Sequence, residues 1–189
     1  MITKEIKDIT KKIKTINRDI LAKEFAKLNF TKGVEVGVCH GKYSKILCEA
    51  NPKLELKSID PYIEVYQDPR TIRIGQKKQE ELFREATELL KTYNCKIIRK
   101  TSLEAVIDFP YESLDFVYID GSHEFDYVMC DIIEWGKRVR KGGIISGHDY
   151  NKTYTGVVRA VNNYAYVHKI DTIYLTNNNT PSWWFKKVW

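Results

Sequence analysis

Two hydrophobic periods alternate along the chain. Short, nearly continuous apolar runs bounded by glycine, proline or acid read as buried strands; segments whose apolar residues return every three or four positions read as helices packed on one side. In order, Gly33 to Val38 predicts a strand and Lys42 to Ala50 a helix, then Leu56 to Asp60 a strand stopped by Pro61. Gln76 to Tyr93 predicts a long amphipathic helix with Leu82, Phe83, Leu89 and Leu90 as its apolar members. Lys96 to Arg99 follows as a strand, with Ser102 capping a short helix through Ile107. Leu114 to Asp120 and Gly143 to Gly147 predict buried strands on either side of a helix from Phe125 to Val139, and Gly156 to His168 the last helix. Such alternation implies α/β architecture: a mostly parallel sheet between two helical layers, a three-layer sandwich. Asp171 to Thr176 and Ser182 to Val188 are separated only by Asn177 to Pro181, too short for a crossover helix, so an antiparallel hairpin closes an expected seven-stranded sheet. Trp183-Trp184-Phe185 on the last strand is expected to pack on both faces; a stacking platform is the other reading.

The first thirty residues read as one helix. Ile2, Ile6, Ile9, Ile13, Ile16 and Ile20 recur in steps of four and three, which puts them on one stripe. That gives an N-terminal helical arm over 1–30 and a domain over 31–189. The stripe either lies across its own domain, or forms an arm that makes a homodimer or covers a substrate.

Composition narrows the setting. At 189 residues the chain suits one full α/β domain. It has no apolar stretch that could span a bilayer and no signal-peptide core. Cys39, Cys48, Cys95 and Cys130 show no metal-ligand spacing, so reduced thiols and a cytoplasmic location are expected. The net charge of +6 raises the question of nucleic acid. It comes from the first helix (Lys4, Lys7, Lys11, Lys12, Lys14, Arg18, Lys23, Lys27) and from Arg70 to Lys100, where acids such as Glu80, Glu81, Glu85 and Glu88 are interleaved. Interleaved charge on helices reads as a solvated face, and no base-reading motif accompanies it, which favours a small-molecule partner.

The candidate chemistry sits at strand ends. Val34-Glu35-Val36-Gly37-Val38-Cys39-His40-Gly41-Lys42-Tyr43-Ser44 runs a strand through a glycine turn into a helix. Gly37 permits a sharp turn, Gly41 a close approach of ligand to backbone, and the helix N-terminus offers free amides to a phosphate or carboxylate. The segment is no P-loop, and Cys39 replaces the middle glycine of the dinucleotide fingerprint. Asp60, about twenty residues on at the end of the next strand, is placed to accept hydrogen bonds from ribose hydroxyls.

Together with Leu114-Asp115-Phe116-Val117-Tyr118-Ile119-Asp120-Gly121-Ser122-His123 and Gly142-Gly143-Ile144-Ile145-Ser146-Gly147-His148-Asp149, this pattern resembles the class I S-adenosylmethionine (SAM)-dependent methyltransferases. The similarity is to the subgroup with Ile-Asp-Gly-x-His after the fourth expected strand and His-Asp after the fifth, and it runs from Gly33 to Lys187. It implies a Rossmann-like fold and SAM as cofactor. Glu35, Gly37, Gly41 and Ser44 would shape or line the methionine end, Asp60 would bind the ribose, and Thr101 and Ser102 would border the adenine, with Asp120 beside the cofactor.

Asp120, His123, His148 and Asp149 leave the carboxyl ends of neighbouring strands and should converge. A hydroxyl acceptor needs a base, for which His148 is the first choice and His123 the second, with Asp149 in support. Asp120 and Asp149 also allow a magnesium site, since related catechol-type oxygen methyltransferases hold Mg2+ with acids at these strand ends. Here His148-Asp149 stands in place of their acid–amide pair. The expected activity is O-methylation of a small hydroxylated acceptor, such as a sugar or glycan-linked group. Positions 62 to 75, with Tyr66, Arg70 and Arg73, would supply an acceptor lid. A nicotinamide-dependent oxidoreductase and a non-catalytic SAM-binding scaffold are the alternatives.

Overall fold

A computed structural model of the chain describes residues 9–64 and 75–189. Ile2 and Ile6, and the lid residues Tyr66, Arg70 and Arg73, lie outside the described residues. The alternation read from the sequence is realised. Strands β2 (Lys32–Val36), β3 (Glu55–Ile59), β4 (Cys95–Ile98), β5 (Leu114–Ile119) and β6 (Val139–Gly147) are interleaved with helices α2 (Lys42–Ala50), α3 (Gln76–Leu90), α4 (Ser102–Val106) and α5 (Phe125–Arg138). Helix α6 (Thr155–Val167) leads to β7 (Ile173–Leu175) and β8 (Trp183–Lys186). Among the described residues no helix is long and apolar enough to cross a membrane.

The N-terminus differs from expectation. Thr10–Lys12 forms a strand, β1, which adds an eighth member to the sheet, and the helix α1 spans only Arg18–Lys27. Two local causes are visible. Asn17 caps α1, its side chain accepting a hydrogen bond from the Ile20 amide, so the helix starts there. Upstream, β1 pairs in parallel with the outer edge of β7, with the Ile13 amide donating to the Leu175 carbonyl (2.8 Å) and Ile173 to that of Ile9 (3.0 Å). β-Branched isoleucines suit a strand, and β7 supplies the open edge. Ile9 packs against one core and Ile16 against the other, so the described isoleucines form no single helical seam.

The sheet order is β1-β7-β8-β6-β5-β2-β3-β4. β8 lies antiparallel between β6 and β7, and all other pairings are parallel. Period-two alternation splits β5 between two cores. Phe116 and Tyr118 face Leu21, Phe25, Tyr43 and Leu47 of α1 and α2, whereas Val117 and Ile119 face Val128, Ile132 and Val161 of α5 and α6. On β8, Trp183 and Phe185 are fully buried on the α5–α6 side, while Trp184 stacks on Tyr174 (centroids 5.5 Å apart). That is packing on both faces.

Phe116 is fully buried, its ring 4.6 Å from that of Phe25 and 6.2 Å from that of Phe30. Phe116→Ala should therefore cost about 3–5 kcal/mol, the range for emptying a large aromatic site in a core. Urea unfolding would show this as a lower midpoint at an unchanged slope.

Candidate active site

The site forms where β2, β3, β4 and β5 end. Gly37 has φ +90°, and a Cβ there would lie 2.1 Å from the Asp120 carbonyl oxygen, so position 37 accepts glycine alone. The chain then turns through Cys39, itself at φ 50°, to Gly41 at φ +73°, the cap residue of α2. Asp60 clasps this turn. Its Oδ2 accepts hydrogen bonds from the amides of Val38 (2.9 Å) and Cys39 (3.0 Å), and its Oδ1 from that of Tyr62 (2.9 Å). The Tyr62 hydroxyl donates in turn to the Cys39 carbonyl at 2.9 Å.

Three of the expected cofactor residues sit behind the turn. Glu35 is buried beneath it, where Ser44 Oγ donates to its Oε2 and Ser58 Oγ donates to the same oxygen at 3.4 Å. Burial pushes the Glu35 carboxyl up to about 8, against the lowering effect of the Ser44 bond. Gly41 packs against α3, where an added Cβ would lie 3.1 Å from Leu90 Cδ1.

In front of the turn opens a crevice of about 480 Å³, whose walls include Gly37, Asp60, Thr101, Ser102, Asp120 and His123. Glu35, Gly41, Ser44, His148 and Asp149 are absent from those walls. Thr101 caps α4 through a reciprocal bond with Glu104. Ser102 Oγ donates to Asp131 Oδ1 and accepts from Trp135 Nε1 (2.8 Å). Asp131 also lines the crevice, and burial raises its carboxyl to about 6 despite the Ser102 bond. The sequence carried a signal for it: Asp131 falls among Val128, Ile132 and Trp135 on the buried face of α5, where an acid has no packing role.

At the far end of the crevice the two loop pairs converge, as their strand positions require. His123 Nε2 lies 2.7 Å from Asp149 Oδ2, and its ring stacks on Tyr154 with centroids 4.0 Å apart. His148 Nδ1 lies 3.2 Å from Asp149 Oδ1 and 3.6 Å from Asp120 Oδ1. Burial alone would lower the His148 pKa, but these two carboxylates outweigh it and raise it to about 9. Asp120 Oδ2 accepts from Arg18 Nη2 of α1, and the guanidinium lies over the rings of Tyr43 (4.1 Å) and Tyr118 (5.3 Å). Arg18, counted in the sequence as part of a solvated charge run, is only 26% exposed. It is the one arginine among the lysines of its segment, the sequence signal by which it could have been found.

A family model described as a methyltransferase domain matches residues 34–150, more than half of the chain. The chain belongs to this methyltransferase family. Its match spans the Gly37 turn, Asp60 and both histidine loops. With the Rossmann-like sheet, it makes the protein a class I SAM-dependent methyltransferase. No curated protein matches the methyltransferase in sequence. Its fold resembles that of the O-methyltransferase NovP (13% identity, TM-score 0.67, 92% of this chain and 78% of that one). It also resembles an O-methyltransferase from Bacillus cereus in complex with SAH (13% identity, TM-score 0.62, 88% and 78%).

The buried Glu35 makes the methyltransferase's stability depend on pH in a defined window. Below 4.5 the carboxyl is protonated in both states; between 4.5 and about 8 the unfolded chain releases a proton that the folded one keeps. Stability is therefore lost as pH rises through that window. Glu35→Gln removes this loss, so the stability of the variant relative to the parent should grow from pH 4.5 to 8, by on the order of a few kcal/mol. Urea midpoints of both proteins against pH measure it; a constant difference would rule out a protonated Glu35.

Proposed function

We propose that the crevice holds SAM across the ends of β2, β3 and β4, and that His123, oriented by Asp149, prepares a hydroxyl acceptor at its far end. The observation that carries this reading is that one continuous cavity is lined by both the Gly37–Asp60 clasp and His123. The methionine end would rest on the turn, with Glu35, Gly41 and Ser44 fixing its backbone from behind. Asp60 keeps acceptor capacity for ribose hydroxyls, since each carboxylate oxygen has two lone pairs. Thr101, Ser102 and Asp131 border the remaining volume, where the adenine would lie. When bound, SAM supplies a methyl group on a sulfonium.

The chain's own residues do the rest. His123 Nε2–H donates to Asp149, which leaves Nδ1 as the nitrogen that takes the acceptor's hydroxyl proton. His148, off the crevice wall and held protonated at neutral pH by two carboxylates, serves as a supporting cation. Alignment of acceptor and donor in the crevice supplies much of the rate of an in-line displacement. The O-methyltransferase neighbours support a hydroxyl acceptor, and a small sugar or glycan-linked group remains our reading of it.

A magnesium role for Asp120 and Asp149 fits poorly. Their four carboxylate oxygens already face Arg18, His148 and His123, so no step is assigned to a metal.

Two measurements test the proposal. In thermal-shift titration SAM and SAH should stabilise the protein and NAD should not; Asp60→Ala should weaken SAM binding roughly tenfold or more. Stabilisation by NAD alone would overturn the cofactor assignment. His123→Ala should leave SAM affinity intact while lowering SAH release, across a panel of hydroxylated sugars, by about 10²–10⁴-fold. His148→Ala matching that loss at unchanged His123 would reverse the roles of the two histidines.

A further inference from the structure

Donor atoms of Asp120, His148 and Asp149 lie within 4.8 Å of one another, the spacing of a metal-binding group. Two carboxylates so close at the end of a crevice need positive charge near them. One source is already built in. Arg18 donates to Asp120 Oδ2, and the side chain is held from several directions. Its guanidinium lies between Asp120 and the faces of Tyr43 and Tyr118, where cation–π attraction adds to the ion pair. Its backbone is fixed as well. The Arg18 amide donates to Asn178 Oδ1 at 3.1 Å, the Tyr43 hydroxyl donates to the Arg18 carbonyl at 3.2 Å, and Asn17 caps the helix that Arg18 begins. An arginine so anchored is part of the site.

We propose that Arg18 is the resident counter-ion of Asp120 and holds, with its guanidinium, the position a divalent cation would need. A cation that sought Asp120 Oδ2 would meet a fixed positive charge within bonding distance of the same oxygen. Coulomb repulsion at that range is poorly screened, because both side chains are mostly out of solvent. Arginine suits the task better than lysine: its charge does not titrate away, and its planar fork can stack on a ring while it bonds a carboxylate. Arg18 lies outside the stretch matched by the family model, which begins at residue 34. The N-terminal segment thus adds to the methyltransferase domain a charge that keeps a divalent cation from Asp120. Arg18 is a positioning residue in this sense, since Asp120 and not Arg18 lines the crevice.

Mn2+ binding, read by the loss of the free-ion electron paramagnetic resonance signal, tests the proposal without any acceptor or turnover. The parent protein should show no Asp120-dependent Mn2+ binding. Arg18→Met keeps an aliphatic chain between the tyrosines and removes the charge; it should bind Mn2+ roughly tenfold or more tightly than the parent, and Asp120→Asn in that background should abolish the gain. Arg18→Lys should keep the metal out. The proposal is overturned if Arg18→Met gains no Mn2+ binding, or if the gain survives Asp120→Asn. Should Arg18→Met fail to fold, the parent alone decides: Mn2+ binding that Asp120→Asn removes would sink the idea, and its absence at millimolar Mn2+ would support it. The inference adds to the proposed SAM reading, and SAM titration of the same samples separates the two. Loss of SAM binding with the Mn2+ pattern intact would refute the cofactor site alone.

Discussion

The carbonyl oxygen of Asp120 occupies the space that any side chain at position 37 would require. That close approach follows from the sheet: β2 pairs with β5 on one side and β3 on the other, and the Asp120 amide donates to the Val36 carbonyl at 2.7 Å to extend the ladder past the strand ends. The chain progresses outward through β3 and β4 on one side of β2 and through β5 and β6 on the other, so the β2–β5 boundary is the switch point where ligands of open α/β sheets bind. Because Gly37 lets the two ends touch, the turn clasped by Asp60 and the loop bearing His123 share one crevice. A side chain at position 37 would part them, and the acid that clasps the glycine turn would no longer share a crevice with His123.

The middle of the fold was legible because its strands and helices carry different periods. Val34, Val36, Val117 and Ile119 lie in short apolar runs, while Leu82, Ala86 and Leu90 return at helical spacing along α3. At the N-terminus the same rule misled. Isoleucines spaced by three and four satisfy a helical stripe, yet the deciding interaction is with β7, some 160 residues along the chain, whose edge hydrogen bonds local periodicity cannot register. The C-terminal hairpin was legible from its short connection. Its insertion beside β6, which makes β8 the antiparallel strand between two parallel neighbours, was not, since loop length fixes a partner and says nothing of the other flank.

The site divides in the same way. Asp60, Asp120 and His123 could be named because an acid or imidazole just beyond a buried strand is a local pattern. Gly41, Ser44 and Glu35 shared the motif with Gly37, and only the packing of α2 against α3 and β2 separates those behind the turn from those before it. Arg18 was hidden for a different reason. It reaches Asp120 across 102 residues of sequence, from a segment whose other described basic residues, Lys11, Lys12, Lys14, Lys23 and Lys27, are exposed to solvent. Asp131 was hidden within an apolar helix face, where its burial, and the raised carboxyl that follows, depend on Ser102 and Trp135 arriving from two other positions.

The proposed division of work between the two histidines rests on the distribution of carboxylates around them. His148 lies half-buried facing both Asp120 and Asp149, so its proton is held well above neutral pH. Among the described residues the acid that His123 faces is Asp149, and of the two histidines it is the one that lines the crevice. With His148 held charged, the proposed proton exchange falls to His123, the histidine that lines the crevice. Arg18 is what keeps the arrangement in balance. Without it, the two acids would have His148 as their main counter-charge, and Asp120 would turn to whatever cation solvent offers. With it, Asp120 stays anchored to α1, His148 can be shared with Asp149, and Asp149 retains an oxygen to orient His123. The proposed base is thus fixed through a chain of charges that begins on the first helix.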